Sequence, residues 1–141
     1  MIQRVQSFRN MGEGRAQPSA AAQALGWELV DVDPDAGTIE VAFTTGEQFR
    51  NQTGHIVNGF LAAMLDATLE SAMLASLAAD QSAATSDLQV QFLVPSRPGR
   101  LIGRGRVVRR SRGVAFLGGE LVNPLGELIA VATATAAIHR V

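Results

Sequence analysis

The chain has 141 residues, 47% hydrophobic and 18% charged, a composition that suits one globular domain with a core of its own. With no cysteine it excludes a thiol nucleophile, a disulfide framework and thiolate metal sites, and its two histidines, His55 and His139, argue against a His-rich metal centre. A net charge of -1 gives no basis for nucleic-acid binding.

Residues 1–16 show weak periodicity and read as a loose arm or short helix preceding a single domain. The opening MIQRVQSFRN lacks the apolar centre of a signal peptide, and no apolar run reaches the ~20 residues that span a bilayer, so a cytoplasmic protein is expected. Pro18 opens an Ala-rich turn, as Pro does near helix starts. Trp27 to Asp33 and Thr38 to Phe43 read as a hairpin across Pro34-Asp35-Ala36-Gly37. In its second strand Ile39, Val41 and Phe43 alternate with Thr38, Glu40 and Ala42, a half-buried pattern.

A polar stretch from Thr44 to Gly54 follows, and then one long helix from about Asn58 to Ala79. Its first turns, Gly59 to Leu65, carry no polar stripe, so the helix is expected to be buried on most sides. Asn58 is the expected N-cap. Four strands complete the chain: Leu88 to Val94, Leu101 to Arg110, Val114 to Val122 and Leu128 to Ile138, with short turns that favour antiparallel neighbours. A lone apolar helix needs a sheet around it, so the expected fold is α+β, a six-stranded antiparallel sheet wrapped about one central helix.

Asp66 lies about two turns into this most apolar helix, where a carboxylate costs several kcal/mol unless it is paired or hydrogen-bonded. Its helical neighbours Ala62, Ala63, Leu69 and Glu70 cannot neutralise it. Carboxylates so placed concentrate at active sites, although a bond to backbone or to an Arg from another strand would make Asp66 purely structural. The helix start at Val57, Asn58 and Gly59 offers free N–H groups and partial positive charge, suited to an oxyanion on a carbonyl, and Gly59 permits close approach. Asn51 and Thr85 are polar helpers able to orient a water or a carbonyl. Thr85 shares strand parity with Asp87, Gln89 and Gln91 on the presumed solvent face, unless the strand bulges or begins late. His55, alone in a polar loop, reads as exposed rather than as a general base.

All twelve basic residues are Arg, and seven fall between Arg97 and Arg112. Arg is suited to phosphate, so this cluster is a candidate anion grip, the alternative being the charged outer face of a strand pair. Gly103-Arg104-Gly105 precedes no helix and Gly12-Glu13-Gly14 follows no strand, so neither is a dinucleotide fingerprint. There is no Gly-x-Ser-x-Gly elbow, and without Lys there is no phosphate-loop lysine.

From about Leu25 onward the chain resembles the hotdog-fold thioesterases of the phenylacetate-pathway (PaaI-like) type. That family's helix-start motif has Asn, then Gly three residues on, then His-Gly-Gly, and an Asp seven residues after the last Gly. Asn51, Gly54, Val57-Asn58-Gly59 and Asp66 fall at those places. Thr85, Phe92-Leu93-Val94-Pro95 and Gly126-Glu127-Leu128-Ile129-Ala130 are similar to the following strands. The resemblance implies hydrolysis of an acyl-CoA thioester, with Asp66 as nucleophile or general base. It implies that N–H groups at Asn58 and Gly59 hold the thioester oxygen, and that Asn51 and Thr85 position the water. It further implies a homodimer or dimer-of-dimers tetramer with sites between subunits. Coenzyme A would enter only as part of the substrate, its phosphates held by basic residues such as Arg97, Arg109, Arg110 and Arg112; no metal and no other cofactor is expected. Val57 stands where the family has His, and Asn58 where it has the first Gly, so a side-chain donor is lost while the backbone donor survives. The alternatives are an acyl-CoA-binding hotdog module that does not hydrolyse, and then a hotdog hydratase or dehydratase, which would need a His beside the helix acid.

Overall fold

The computed structural model describes Gln6, Ser7, Arg9 and residues 18–141; apart from those three residues, the expectation for 1–16 lies outside the described part. After a short helix α1 (Ala20–Ala24) come β1 (Glu28–Asp33), β2 (Thr38–Thr44) and a single 3-10 turn, Glu47–Phe49. The long helix α2 (Asn58–Ala75) follows, and then β3 (Gln81–Phe92), β4 (Arg100–Ser111), β5 (Val114–Val122) and β6 (Leu128–Arg140). The six strands form one antiparallel sheet in the order β1-β2-β4-β5-β6-β3. It curls about α2, as the order of elements leads one to expect, in the hotdog arrangement that the resemblance implies. Among the described residues no helix is long and apolar enough to cross a membrane.

The core lies between α2 and the concave face of the sheet. Leu61, Met64, Leu65, Leu69, Ala72 and Met73 of the helix meet Val41, Phe43, Leu101, Leu117 and Leu121 of the strands. Small residues let the helix come close. A Cβ on Gly105 would lie 3.0 Å from the Thr68 carbonyl oxygen, and one on Gly119 would lie 2.7 Å from Leu69 Cδ2. Ala132, Ala134 and Ala136 keep the inner face of β6 shallow. The hydroxyls of Thr68 and Ser71 on α2 donate to the carbonyls of Met64 and Ala67, each at 2.7 Å, so these polar atoms cost little inside.

The helix is less enclosed than its composition suggests. Asn58, Gly59, Phe60, Ala63 and Glu70 are exposed along the side turned away from the sheet, and Asp66, Ala67 and Leu74 are half-buried beside them. One sheet covers one side of a helix, and apolar residues on the other side do not bring their own cover. Two boundaries also differ from the expectation. The N-cap is Val57, which makes no side-chain cap, and Asn58 is the first helical residue. The loop sets this position, because the Val57 N–H donates to Phe49 O at 2.9 Å and the Ile56 N–H to Ser96 O at 2.8 Å. The helix ends at Ala75 rather than Ala79, where the Ser76 hydroxyl donates to Met73 O at 2.8 Å and Arg110 donates to Ser76 O at 2.9 Å.

Candidate active site

Asp66 sits midway along α2, half-buried and facing β3. Its Oδ1 accepts a hydrogen bond of 2.9 Å from the Thr85 hydroxyl, and among the described residues no cation pairs with it. The structural alternative of an Arg partner from another strand is therefore not what holds this carboxylate.

Strict alternation would have turned Thr85 outward. In the structure the pairing of β3 with β6 shifts between Thr85 and Asp87, so that Thr85 opposes Ala136 while Asp87 opposes Thr135. The extra residue, Ser86, donates from its hydroxyl to Thr135 O at 3.0 Å. One inserted residue exchanges the two faces of a strand, so Ala83 and Thr85 share the inner face with Leu88 and Val90. The same irregularity hid the first half of β3, which begins at Gln81 rather than Leu88.

At the start of α2 the N–H groups of Asn58 and Gly59 have no acceptor among the described residues, and a Cβ on Gly59 would meet nothing within 4 Å. These donors are open to a ligand and carry the positive end of an 18-residue helix. The approach is fixed by the edge-to-face stacking of Phe49 on Phe60, with ring centroids 4.6 Å apart, and by the bridge between Arg50 and Ile56. Asn51 organises the loop itself. Its side-chain oxygen accepts from the Thr53 N–H at 2.9 Å, the Thr53 hydroxyl at 2.8 Å and the His55 N–H at 3.1 Å. Only its amide N–H groups remain for a substrate or water. The His55 ring is half-buried and lies 3.1 Å from the Thr53 hydroxyl, held to the loop rather than turned to Asp66.

Asn58 and Gly59 stand apart from Asp66 along the helix of the same chain. Seven residues of helix place Gly59 and Asp66 about 10 Å apart along the axis, several times hydrogen-bonding distance.

Between α1 and the open side of α2 lies a cavity of about 480 Å³, walled by Ala21, Ala22, Leu25, Trp27, Ala63, Ala67 and Leu74, with Asp66 and Glu70 on its helical side. Glu70 was passed over in the sequence as a mere neighbour of Asp66. Loss of solvent, followed by the nearby Asp66 charge, pushes its carboxyl above the ordinary value of 4.5, although much of the residue stays open to water. The signal was present: an acid four residues after another on an apolar helix shares its face. The role of α1 as the opposite wall had no such signal, because short Ala-rich segments look alike wherever they pack.

The arginines do not gather. They follow the extended strand β4, which at ~3.3 Å per residue separates Arg100 from Arg110 by about 33 Å. Arg97 lies near Gly54 in the helix-start loop, whereas Arg109, Arg110 and Arg112 stand at the far end of the strand. Arg110 is engaged there, donating to Ser76 O at 2.9 Å and to Gln81 Oε1 at 2.7 Å. Arg104 pairs with Glu40 at 2.8 Å and Arg100 with Glu28 at 3.4 Å. Nearness in sequence became distance in space because a strand, unlike a helix, keeps successive residues far apart.

A curled antiparallel sheet on one long helix, with a hydroxyl-bonded carboxylate on the helix and open donors at its start, defines a hotdog protein of the thioesterase type. Residues 53–130 match the family model described as the thioesterase superfamily, and the chain belongs to that family. It is 38% identical to a phenylacetic acid degradation-related protein of Ralstonia eutropha JMP134, covering 92% of this chain and 98% of that one with a TM-score of 0.86. The PaaI protein of the E. coli phenylacetic acid degradation operon shares the fold at 21% identity, over 99% of this chain and 94% of that one, TM-score 0.81. A thioesterase of Haemophilus influenzae shares it at 16% identity, over 94% and 90%, TM-score 0.82. No curated protein sequence matches.

Proposed function

We propose that the protein hydrolyses an acyl-CoA thioester, with Asp66 as the reacting carboxylate and the Asn58 and Gly59 N–H groups as the oxyanion hole. The observation that carries this reading is Asp66 itself, a carboxylate without a cation partner among the described residues, oriented by Thr85 at 2.9 Å and lining an apolar cavity. As a general base it takes a proton from water while the water oxygen bonds to the thioester carbon. The helix N-terminus stabilises the charge that develops on the carbonyl oxygen. Collapse of that intermediate breaks the carbon–sulfur bond, and the thiolate leaves and takes up a proton. Direct attack by Asp66 gives the same products through an anhydride that water then opens.

We infer that the two halves of each site come from different copies, a reading that the ~10 Å between Gly59 and Asp66 along α2 supports. β3 supports such an arrangement, being a 12-residue edge strand paired, among the described strands, with β6 alone. An unpaired edge of that length is an opening for a second chain. We assign the phosphates of coenzyme A to Arg97, beside the helix-start loop; Arg109 and Arg112 could serve only a phosphate at the other end of β4.

The second reading, an acyl-CoA-binding module without turnover, is favoured by Val57, which brings no donor, and by the engagement of the Asn51 oxygen within its loop. A thiol-release assay over aryl- and alkyl-CoA thioesters, run on the wild type and on Asp66→Asn, separates the two. Turnover that vanishes in the variant, with its fold intact, supports hydrolysis; equal turnover in the variant removes Asp66 from the mechanism. Tight acyl-CoA binding without turnover by the wild type supports the module.

A further inference from the structure

The cavity beside Asp66 contains a feature that hydrolysis does not use. Of its residues on α2, only Ala63 precedes Asp66, while Ala67, Glu70, Ser71 and Leu74 follow it. The room therefore runs from Asp66 toward the C-terminal end of the helix, between α2 and the wall made by Ala21, Ala22, Leu25 and Trp27. An acyl group whose thioester carbon lies at Asp66 extends in that direction and meets Glu70 one helical turn on, about 6 Å along the axis. Glu70 makes no hydrogen bond or ion pair in the described structure. None of the described residues lining the cavity is basic; besides Asp66 and Glu70 they are apolar, carry a hydroxyl or, in Trp27, an indole N–H.

We propose that Glu70 is a specificity-determining residue that restricts the acyl group to chains without negative charge and rejects those ending in a carboxylate. This rests on the reading of Asp66 as the hydrolytic carboxylate. The physical reason is that two carboxylates line one partly desolvated cavity with no cation among its described lining residues to offset them. A third negative charge brought to within about 6 Å of Glu70 is disfavoured by about threefold if screened as in bulk water, and by about a hundredfold at the effective dielectric of a protein surface. Partial exposure of Glu70 places the expected penalty between these limits, at about tenfold. An uncharged chain meets only the apolar wall and avoids this repulsion.

The test compares kcat/KM for hexanoyl-CoA and for the mono-CoA thioester of hexanedioic acid, which differ in the charge at the distal carbon. The wild type is expected to prefer hexanoyl-CoA. In Glu70→Gln the ratio of the two kcat/KM values should fall by about tenfold, chiefly through KM for the dicarboxylic substrate, whereas Glu70→Asp should keep the wild-type preference. A merely structural role for Glu70 would lower both substrates together and leave the ratio unchanged, and that result overturns the proposal. Equal kcat/KM for the two substrates in the wild type overturns it as well, with hydrolysis still standing. Failure of the underlying reading looks different, because then neither thioester is turned over or Asp66→Asn retains full activity.

Discussion

Thr85→Val tests the geometry of the site with the least disturbance of the fold. Valine preserves the branched shape and the strand preference of threonine, so the substitution removes one donor and little else. That donor serves Asp66 Oδ1 at 2.9 Å, in a half-buried setting where no other described side chain takes its place. Hydrogen bonds to charged groups contribute about 1.5–3 kcal/mol, and partial exposure argues for the lower end. If Thr85 holds Asp66 toward the thioester carbon, kcat should fall by about tenfold, with KM nearly unchanged. Thr85→Ser retains the donor and should stay close to the wild type. Steady-state thiol release on the best acyl-CoA, with thermal unfolding in parallel, reads both quantities. A Thr85→Val enzyme within twofold of wild-type kcat, and equally stable, would refute the assignment of Thr85 as a positioning residue.

Three further predictions concern the fold and its charges. Gly119→Ala should destabilise by about 1–3 kcal/mol, because the new Cβ would meet the Arg104 carbonyl oxygen at 2.6 Å and Leu69 Cδ2 at 2.7 Å; a melting temperature equal to the wild type would show that β5 can move aside. Arg110→Ala should lower the denaturation midpoint through loss of its bonds to Ser76 O and Gln81 Oε1, whereas Arg112→Ala, with no such partners, should not; equal effects would deny Arg110 its role in tying off α2. Glu70 has a folded-state pKa raised above its unfolded value, so its contribution to stability is fully present at pH below the ordinary 4.5 and is lost as pH rises through the folded value. Glu70→Gln should therefore gain stability relative to the wild type at pH 7 and not at pH 4, as read by thermal midpoints at the two pH values.

The sequence by itself determined the order of elements, because each is written in local periodicity. Ile39, Val41 and Phe43 announced β2, the uninterrupted apolar run after Gly59 announced the central helix, and Gly and Pro marked the turns. It also determined which carboxylate stands out, since Asp66 breaks an otherwise apolar stretch whatever surrounds it. The spacing of Asn51, Gly54, Gly59 and Asp66 led to the family to which the chain belongs.

Tertiary structure decided the rest, and in each case the reason is non-local. Thr85 turned inward because a bulge at Ser86 reversed the alternation, an irregularity defined by pairing with Thr135 and Ala136 some fifty residues away. The helix took Val57 as its N-cap because Phe49 and Ser96 pinned the loop, overriding the better capping chemistry of Asn58. Glu70 gained its importance only when α1 closed a cavity over it, and the arginines lost their unity when β4 proved to be a single extended strand. Periodicity states which residues want to be buried; which surfaces then face one another depends on how distant segments pair, and that is settled only by packing the whole chain at once.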